Sequence, residues 1–400
     1  MSKQLVIVSG ARTAMAEYVG TPGYGLFNTV SANDLGAHAI KAALERGGVN
    51  ASMVDHVVMG NAMQTSADAI YGARHSSLKA GIANEVPALT VNRLCGSGIQ
   101  SIVSGAQMIL SGDAEVVVAG GMENMSQAPH IIRGARKGFR LGGSPKIEDS
   151  LFESLMDPYS GFFMAQTAEN LATKYGISRE EQDAYAFRSH ELGATAVSGG
   201  LFAEEIAPLT VKVGRKEFVV DTDDHIRPET TLEGLAKLRP AFGKEGTVTA
   251  GNASGIVDGA AALLITTEER AAAEGWTVRA KIRSWGITGC EPEIMGIGPV
   301  ESIKQAALKA GVAVGDIDYI EINEAFSAQY LACEKVLELD RDKCNVNGGA
   351  VSIGHPLGAT GSRLVLTLMH QLERSGKSLG MASACIGGGQ GIAMLIERNA

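Results

Sequence analysis

The chain has 400 residues, of which 45% are hydrophobic and 20% charged, and its formal net charge is −9. This length is enough for two or three domain-sized units with a sizeable core, and the acidic balance provides no basic surface for a nucleic-acid partner. No stretch approaches the ~18 apolar residues of a membrane span, and the start holds no apolar run of secretory length. We therefore expect a globular, cytoplasmic protein without a membrane span, or a mitochondrial matrix protein if the source is eukaryotic.

The cysteines carry information about redox state and metals. There are five of them, at Cys95, Cys290, Cys333, Cys344 and Cys385, and no two form a CxxC pair. An odd number without paired spacing fits free thiols in a reducing compartment better than a disulfide framework or a zinc site. We expect no structural metal.

An internal repeat organises the chain. Residues 39–62 have the pattern of an alanine-rich helix, a Gly-Val stop and a short strand. Residues 302–325 repeat that pattern at an offset of 263, with seven identities and no gap. The sequence therefore predicts a duplicated αβ unit.

The same offset relates two reactive side chains. An offset of 263 places the equivalent of Cys95 at position 358, three residues past His355. Cys95 and His355 are each followed by apolar residues at helical spacing. Cys95 and His355 thus occupy matching strand-to-helix turns in the two halves. If the halves pack about a pseudo-twofold axis, these turns face each other.

An inserted segment interrupts the first half. The strand predicted at 379–389 is followed at once by the second strand of a hairpin. The equivalent second strand after the strand at 115–121 comes only at 249–266. Residues 121–246 are therefore an insertion with a role such as substrate binding. Within it, four cations share one face if the segment is helical, and they either face solvent or contact a subunit or phosphates: Arg133, Arg136, Lys137 and Arg140.

Several side chains have the chemistry of acyl transfer. A thiol at a helix N-terminus, such as Cys95, has its thiolate favoured by the helix dipole, and His355 across the cleft is the base that the repeat supplies. Asn323 follows a strand, where it forms either an oxyanion or water site or an Asx turn. Cys385 precedes a glycine run that either exposes N–H groups to an oxyanion or forms a hairpin around a buried thiol. No P-loop, GxSxG, HExxH or strand-linked GxGxxG motif occurs.

In this order and spacing, the motifs VNRLCGSG, GTVTAGNASG, NEAF, NVNGGA with GHPLGATGSR, and CIGGGQG resemble the thiolase family along essentially the whole chain. The resemblance implies an α/β thiolase fold, in which duplicated βαβαβαββ halves form a five-layer αβαβα arrangement with an inserted loop domain. The expected boundaries are 1–120, completed by 247–271, for the first half, 121–246 for the loop domain and 272–400 for the second half. A homodimer or homotetramer is implied, with part of the insertion as an oligomer contact.

The resemblance also implies roles for individual residues. Cys95 would be the nucleophile that becomes acylated, His355 its base, and Cys385 the acid/base at the acetyl carbon. Asn323, through a water, and His355 would form one oxyanion hole, and the backbone N–H groups of Cys95 and Gly387 the other. Coenzyme A is the implied co-substrate, with no permanently bound cofactor, and its implied contacts are Arg227, Thr230, Phe242, Ala250 and Ser254.

The implied reaction is the reversible thiolytic cleavage of a 3-ketoacyl-CoA, as an acetyl-CoA C-acyltransferase performs it in fatty-acid β-oxidation. Phe163 and Ala165 stand where biosynthetic acetoacetyl-CoA thiolases typically have a histidine and a glycine, and the surrounding sequence is closer to the mitochondrial type of 3-ketoacyl-CoA thiolase. The alternatives are an acetyl-CoA C-acetyltransferase and, remotely, a non-catalytic acyl-CoA or lipid-binding protein. We further expect Gly96 and Gly98 to leave room beside an acylated Cys95.

Overall fold

The computed structural model describes residues 3–243 and 245–399, in which strands and helices alternate. In that part of the chain, no helix is both long and apolar enough to cross a membrane. The strands are β1 (Leu5–Arg12), β2 (Ala16–Glu17), β3 (His56–Gly60), β4 (Ala88–Val91), β5 (Val117–Glu123), β6 (His130–Ile132), β7 (Ile147–Asp149), β8 (Met156–Asp157), β9 (Phe162–Phe163), β10 (Leu209–Val213), β11 (Lys216–Val220), β12 (Val257–Thr267), β13 (Ala280–Gly289), β14 (Tyr319–Ile322), β15 (Leu379–Ile386) and β16 (Gln390–Arg398). The helices are α1 (Ala32–Gly47), α2 (Gly72–Lys79), α3 (Ser97–Ser111), α4 (Ser150–Ser154), α5 (Met164–Tyr175), α6 (Arg179–Ser198), α7 (Leu232–Ala236), α8 (Glu268–Glu274), α9 (Gly298–Ala310), α10 (Ser327–Leu337), α11 (Ala350–Ile353) and α12 (Leu357–Ser375).

The main sheet consists of two groups of strands with the same internal order. The first group runs β4–β3–β5–β12–β1, and the second runs β14–β15–β16–β13 from its outer edge. The second group's counterpart of β4 is reduced to a parallel bridge between Ile320 and Cys344. The two groups meet where β1 pairs antiparallel with β13 through two residue pairs. The duplicated βαβαβαββ order is therefore confirmed.

The helix ends explain why the repeat is visible in the sequence. Gly48 follows α1 with φ 62°, and Gly311 follows α9 with φ 72°. Both values are left-handed, a conformation that glycine adopts without the steric penalty of a Cβ atom. Each helix is then followed by a parallel strand, β3 in the first half and β14 in the second. The predicted helix, stop and strand unit is thus present twice.

Successive residues of a strand point to opposite faces of the sheet, and they pack in separate hydrophobic cores on those two faces. In β3, Val57 packs in a cluster with α1, whereas Val58 packs in a cluster with α3 and α12. That central cluster also contains Ala382 and Ala384 of β15, so α3 and α12 lie between the two strand groups. A third cluster holds α9 and α10 against the outer face of the second group. The five-layer αβαβα arrangement is confirmed, and each fully buried aliphatic side chain contributes about 1.5–3 kcal/mol to it.

The chain between β5 and β12 leaves the main sheet. It forms the two-stranded ribbons β6–β7, β8–β9 and β10–β11, together with helices α4 to α7. Within this segment, α5 packs against α10, and α6 packs against α10 and α11 of the second half. This segment therefore covers α10 and α11 of the second half, and α11 leads directly into α12.

The basic run in this segment is not a helix. Gly134 and Gly138 have φ values of 81° and 74°, and only one 3-10 turn, Ala135–Lys137, lies between them. Arg133 Nε donates to Glu148 Oε2 on β7 at 2.7 Å. All four cations are exposed. They share no helix face, because left-handed glycines interrupt the run.

Helix α12 carries His370, a histidine whose side chain is buried. Burial lowers the pKa of His370 from 6.5 to about 3, and the charges of Arg279 and Arg374 add to this effect. Below pH 6.5 the unfolded chain binds a proton that the folded chain does not, so His370 reduces stability as the pH falls from 6.5 towards 3.

We therefore expect His370→Gln to flatten the acid side of the stability profile. Relative to the variant, the wild-type protein should lose about 1.4 kcal/mol of unfolding free energy per pH unit below its unfolded pKa. Urea unfolding of both proteins at about pH 7.5 and about pH 5.5 measures this difference, since every other titrating group is shared. Parallel profiles would mean that His370 titrates alike in the folded and unfolded chains.

Candidate active site

Cys95 lies in a strained turn between β4 and α3. Leu94 has φ 46°, a left-handed value that costs a non-glycine residue roughly 1 kcal/mol. Ser97 stabilises the turn, because its Oγ accepts from Arg93 N at 2.8 Å and donates to Leu94 O at 2.7 Å. The turn delivers the half-buried thiol of Cys95 to the N-terminal end of α3.

Close helix packing brings the two halves' turns together. A Cβ on Gly98 would lie 2.3 Å from Ser362 N, and one on Gly361 would lie 2.4 Å from Ile99 N, so α3 and α12 cross in backbone contact near their N-termini. A Cβ on Gly96 would lie 2.6 Å from Ile386 Cδ1. The expectation that Gly96 and Gly98 leave room for an acyl group is therefore wrong: α12 and β15 occupy that space.

The thiols of Cys95 and Cys385 are neutral in the resting site. Burial raises the pKa of Cys95 to about 11, although the backbone N–H groups of Gly387 and of Cys95 itself face the sulfur and oppose the shift. Burial also raises the pKa of Cys385 well above its ordinary value, and the nearby Cys95 adds to this. The helix N-terminus therefore does not maintain a thiolate by itself, and Cys95 needs a base.

His355 is oriented by hydrogen bonds on both ring nitrogens. Thr360 Oγ1 donates to Pro356 O at 3.0 Å, so its oxygen is free to accept from His355 Nδ1 at 2.6 Å. This assigns the proton to Nδ1 and leaves Nε2 unprotonated. Burial lowers the pKa of His355 to about 3, and the charge of Arg363 contributes. His355 is thus a neutral imidazole that offers Nε2 as a base.

Asn323 lies at the end of β14 beside His355. Its Nδ2 is 3.3 Å from His355 Nε2, and its backbone N donates to Ser383 O on β15 at 2.8 Å. Asn323 Oδ1 is buried without a protein partner. A buried acceptor of this kind fits a bound water. The backbone bond to β15 places Asn323 on the strand next to the one that carries Cys385.

An apolar cavity of about 240 Å³ leads to His355. Three of the residues expected to contact coenzyme A line it, namely Phe242, Ala250 and Ser254. Most of the remaining wall is apolar, with Met125, Leu155, Met164, Ile256, Phe326 and Leu357. A mostly apolar cavity with a few polar groups around a histidine is the usual form of a small-molecule site.

Phe163 forms part of the cavity wall. Its ring lies between those of Phe152 and Phe242, with centroid distances of 4.9 Å and 5.0 Å. Tilted aromatic pairs at this spacing are each worth about 0.5–1.5 kcal/mol beyond burial. The residue that departs from the acetoacetyl-CoA pattern is therefore fixed against the cavity.

Arg227 and Thr230 do not line this cavity. The guanidinium of Arg227 forms an ion pair with Glu17, and Nη1 donates to Tyr24 Oη at 2.7 Å. It also lies 4.6 Å from the centroid of the Tyr24 ring. Thr230 Oγ1 donates to Arg227 O at 2.8 Å. The structure thus groups these two residues with each other and apart from the three that line the cavity.

Two buried carboxylates at the site were not predicted. Glu123, at the end of β5, accepts hydrogen bonds from the backbone N–H groups of Ala62, Met63 and Gly358, and burial raises its pKa to about 7. Glu324 follows Asn323 and is also fully buried. The sequence signal that could have identified both residues is a single acid just after an apolar strand. The described residues contain no group of three or more His, Cys, Asp or Glu side chains that could hold a metal ion.

Comparisons with known proteins agree with this geometry. Residues 5–269 match the family model "Thiolase, N-terminal domain", and residues 276–398 match "Thiolase, C-terminal domain". The chain is 51% identical over 394 residues to human mitochondrial 3-ketoacyl-CoA thiolase, covering 98% of both chains. It is 48% identical over 397 residues to the acetyl-CoA acetyltransferase of Escherichia coli K12, covering 99% of both. The crystal structure of the human mitochondrial enzyme in complex with CoA has a TM-score of 0.95 and 50% identity, covering 99% of this chain and 98% of that one. The chain therefore belongs to the thiolase family.

Proposed function

We propose that the protein is a degradative 3-ketoacyl-CoA thiolase, an acetyl-CoA C-acyltransferase of fatty-acid β-oxidation. It cleaves a 3-ketoacyl-CoA with coenzyme A into acetyl-CoA and an acyl-CoA two carbons shorter. The observation that carries the proposal is that the two thiols lie near each other, that Asn323 contacts both His355 and the strand of Cys385, and that His355 lines an apolar cavity. The human relative named above supports the same reaction class.

In the first half-reaction, His355 Nε2 takes the proton of the Cys95 thiol, and the sulfur attacks the 3-keto carbon. The carbonyl oxygen becomes an oxyanion. We assign the stabilisation of oxyanions in this site to two sets of donors: the backbone N–H groups of Cys95 and Gly387 form one, and protonated His355 with a water held by Asn323 forms the other. The bond between carbons 2 and 3 then breaks, which leaves an acyl thioester on Cys95 and the enolate of acetyl-CoA.

Cys385 completes this step as the acid. Its thiol is neutral because burial raises its pKa, so it holds a proton that it donates to carbon 2 of the enolate. Acetyl-CoA is released, and Cys385 is left as a thiolate. A separate acid is required because the proton taken from Cys95 remains on His355.

In the second half-reaction, coenzyme A enters and transfers its thiol proton to the Cys385 thiolate. Its sulfur attacks the acyl group on Cys95, and the same two sets of donors stabilise the oxyanion. The Cys95 sulfur leaves and recovers its proton from His355. Both thiols and the neutral imidazole are then restored, and the whole sequence is reversible.

Coenzyme A binds through two groups of residues in this proposal. Phe242, Ala250 and Ser254 contact the narrow pantetheine part within the cavity. Arg227 and Thr230 contact the nucleotide end outside it, where Glu17 now neutralises the guanidinium. Coenzyme A acts as a co-substrate in both directions and is not a permanently bound cofactor.

The alternative substrate class is acetoacetyl-CoA, as the Escherichia coli relative at 48% identity is named an acetyl-CoA acetyltransferase. A comparison of kcat/KM for 3-ketooctanoyl-CoA and acetoacetyl-CoA distinguishes the two. We expect the longer substrate to be preferred because Phe163 makes the wall apolar where a histidine would make it polar. A preference for acetoacetyl-CoA would favour the acetyltransferase, and no cleavage of either would favour a non-catalytic acyl-CoA or lipid-binding protein.

Phe163→His tests this explanation of chain length directly. We expect the ratio of kcat/KM for 3-ketooctanoyl-CoA over acetoacetyl-CoA to fall about tenfold, since an imidazole places a polar group against the alkyl chain. Phe162→His is the matched control, because Phe162 is adjacent on β9 but does not line the cavity. Equal ratios in the wild type and both variants would exclude Phe163 as a specificity determinant.

We also assign the arrangement of the chain in this function. The first half comprises 1–120 with 247–271, and the second half 272–400. The loop domain, 121–246, carries coenzyme A and oligomer contacts. We propose a homodimer or homotetramer of the cytoplasm, or of the mitochondrial matrix in a eukaryote, and light scattering of the purified protein separates the two assemblies.

A further inference from the structure

Glu324 is a buried acid directly beside the oxyanion-hole residue proposed above. Its side chain is inaccessible to solvent, and each carboxylate oxygen accepts two hydrogen bonds. Oε1 accepts from Tyr185 Oη at 2.7 Å and from Asn345 Nδ2 at 2.9 Å. Oε2 accepts from Ser189 Oγ at 2.8 Å and from Val351 N at 3.0 Å. A buried carboxylate with four donors is a fully satisfied and rigid anchor.

The four donors come from separate parts of the molecule. Tyr185 and Ser189 lie on α6 of the segment between β5 and β12, and Val351 lies on α11, which leads to His355. Asn345 also bonds to both backbone groups of Ile322 at the end of β14. Its Oδ1 accepts from Ile322 N at 2.9 Å, and its Nδ2 donates to Ile322 O at 2.9 Å. Glu324 therefore joins three elements around the turn that carries Asn323.

The same turn is bonded to the cavity wall on its other side. Ser254 N donates to Ala325 O at 3.0 Å, and Ser327 N donates to Asn252 O at 2.8 Å. The wall continues to the histidine turn, because His355 N donates to Gly255 O at 2.9 Å. Between these backbone bonds, the Glu324 carboxylate is the side-chain contact that fixes the turn against α6 and α11.

We propose that Glu324 is a positioning residue for thiolysis: its carboxylate holds the Asn323 amide in the place where that amide binds the water that stabilises the oxyanion together with His355. Glu324 acts through Asn323 and touches neither substrate nor coenzyme A. This inference rests on the proposed role of Asn323 in the function above. It explains why a fully buried acid directly follows Asn323 with only neutral donors as hydrogen-bond partners.

Glu324→Gln is the informative change because it preserves the shape of the side chain. The amide nitrogen replaces one acceptor oxygen by a donor. A hydroxyl from Tyr185 or Ser189 can rotate to accept from it, but the N–H of Asn345 or Val351 opposite that nitrogen cannot. One of the four hydrogen bonds is lost, and the anchor loosens without a cavity.

The expected result for Glu324→Gln is a fall in kcat for 3-ketoacyl-CoA thiolysis of about 10- to 100-fold, with KM changed less than about threefold, since only transition-state stabilisation is affected. Alkylation of Cys95 by iodoacetamide should fall much less than kcat, because Thr360 still holds His355 Nδ1 and the Cys95 turn does not contact Glu324. Glu324→Asp, which keeps the charge on a shorter stem, should recover part of the lost kcat.

A double-mutant cycle separates positioning from general stability. In an Asn323→Ala background, Glu324→Gln should cause no further loss of kcat, since a residue that acts only through Asn323 has nothing left to position. Arg188→Lys, on α6 but not bonded to Glu324, is the control, and thermal unfolding checks that each variant is folded.

Independent, multiplicative losses in the double variant would overturn the proposal, and so would a wild-type kcat in folded Glu324→Gln. A slowing of Cys95 alkylation as large as the loss of kcat would also contradict it, because the damage would then lie in the activation of Cys95 and not in the role of Asn323. These outcomes differ from failure of the proposed function, in which the wild-type protein itself would not cleave a 3-ketoacyl-CoA.

Discussion

Replacement of Cys95 by alanine is expected to lower kcat/KM for thiolysis by at least about 10⁴-fold, the scale on which removal of a covalent nucleophile acts. Neither half-reaction has another acceptor for the acyl group, because the turn at Leu94 delivers only this sulfur to the N-terminal end of α3. Steady-state cleavage of 3-ketooctanoyl-CoA, followed by loss of the 3-keto absorbance, measures the effect.

Binding should survive this change. The cavity lining does not include Cys95, so the affinity of Cys95→Ala for coenzyme A, measured by calorimetry, should stay within about threefold of wild type. Cys290→Ala is a matched control, since Cys290 is also a free, half-buried thiol. Substantial thiolysis by Cys95→Ala would refute the acyl-enzyme route.

Cys385→Ala is expected to separate the two chemistries of the site. Carbon–carbon cleavage should fall about 10²- to 10⁴-fold, because the acetyl-CoA enolate has lost its acid. Exchange of labelled coenzyme A into octanoyl-CoA should fall much less, since it forms no enolate and the thiol of coenzyme A can give its proton to water when the Cys385 thiolate is absent. An assay of both reactions on one preparation gives the ratio.

This ratio also tests the assignment of the two thiols. If Cys385→Ala loses exchange and cleavage equally, Cys385 supports the acylation of Cys95 and is not a separate acid. If it loses neither, the enolate takes its proton from another group. Retained exchange further demonstrates that the variant is folded, which matters because Cys385 is fully buried.

The fold was largely predictable because the same local signals occur twice. The Gly48 and Gly311 stops require left-handed backbone, which few residues tolerate, so they mark the ends of α1 and α9 clearly. The interpretation of Cys95 and His355 as partners followed from the repeat, and the crossing of α3 and α12 places their turns together in the structure.

Other features depend on contacts that no local pattern encodes. The glycines at 96 and 98 signalled a close approach, but the approaching groups are α12 and β15. The anchor at Glu324 joins residues up to 139 positions apart in the chain, so its role emerges only from the packing of α6 against the second half. The pKa of Cys95 is likewise determined by burial more than by its place at a helix start.

The most direct test of the proposed function is to identify the acylated residue. Wild-type protein is mixed with 3-ketooctanoyl-CoA without added coenzyme A, quenched in acid, digested and analysed by mass spectrometry. The proposed function predicts a hexanoyl group on Cys95 and release of acetyl-CoA, with neither product in Cys95→Ala. A hexanoyl group on a different residue, or release of acetyl-CoA with no acylated peptide, would contradict it.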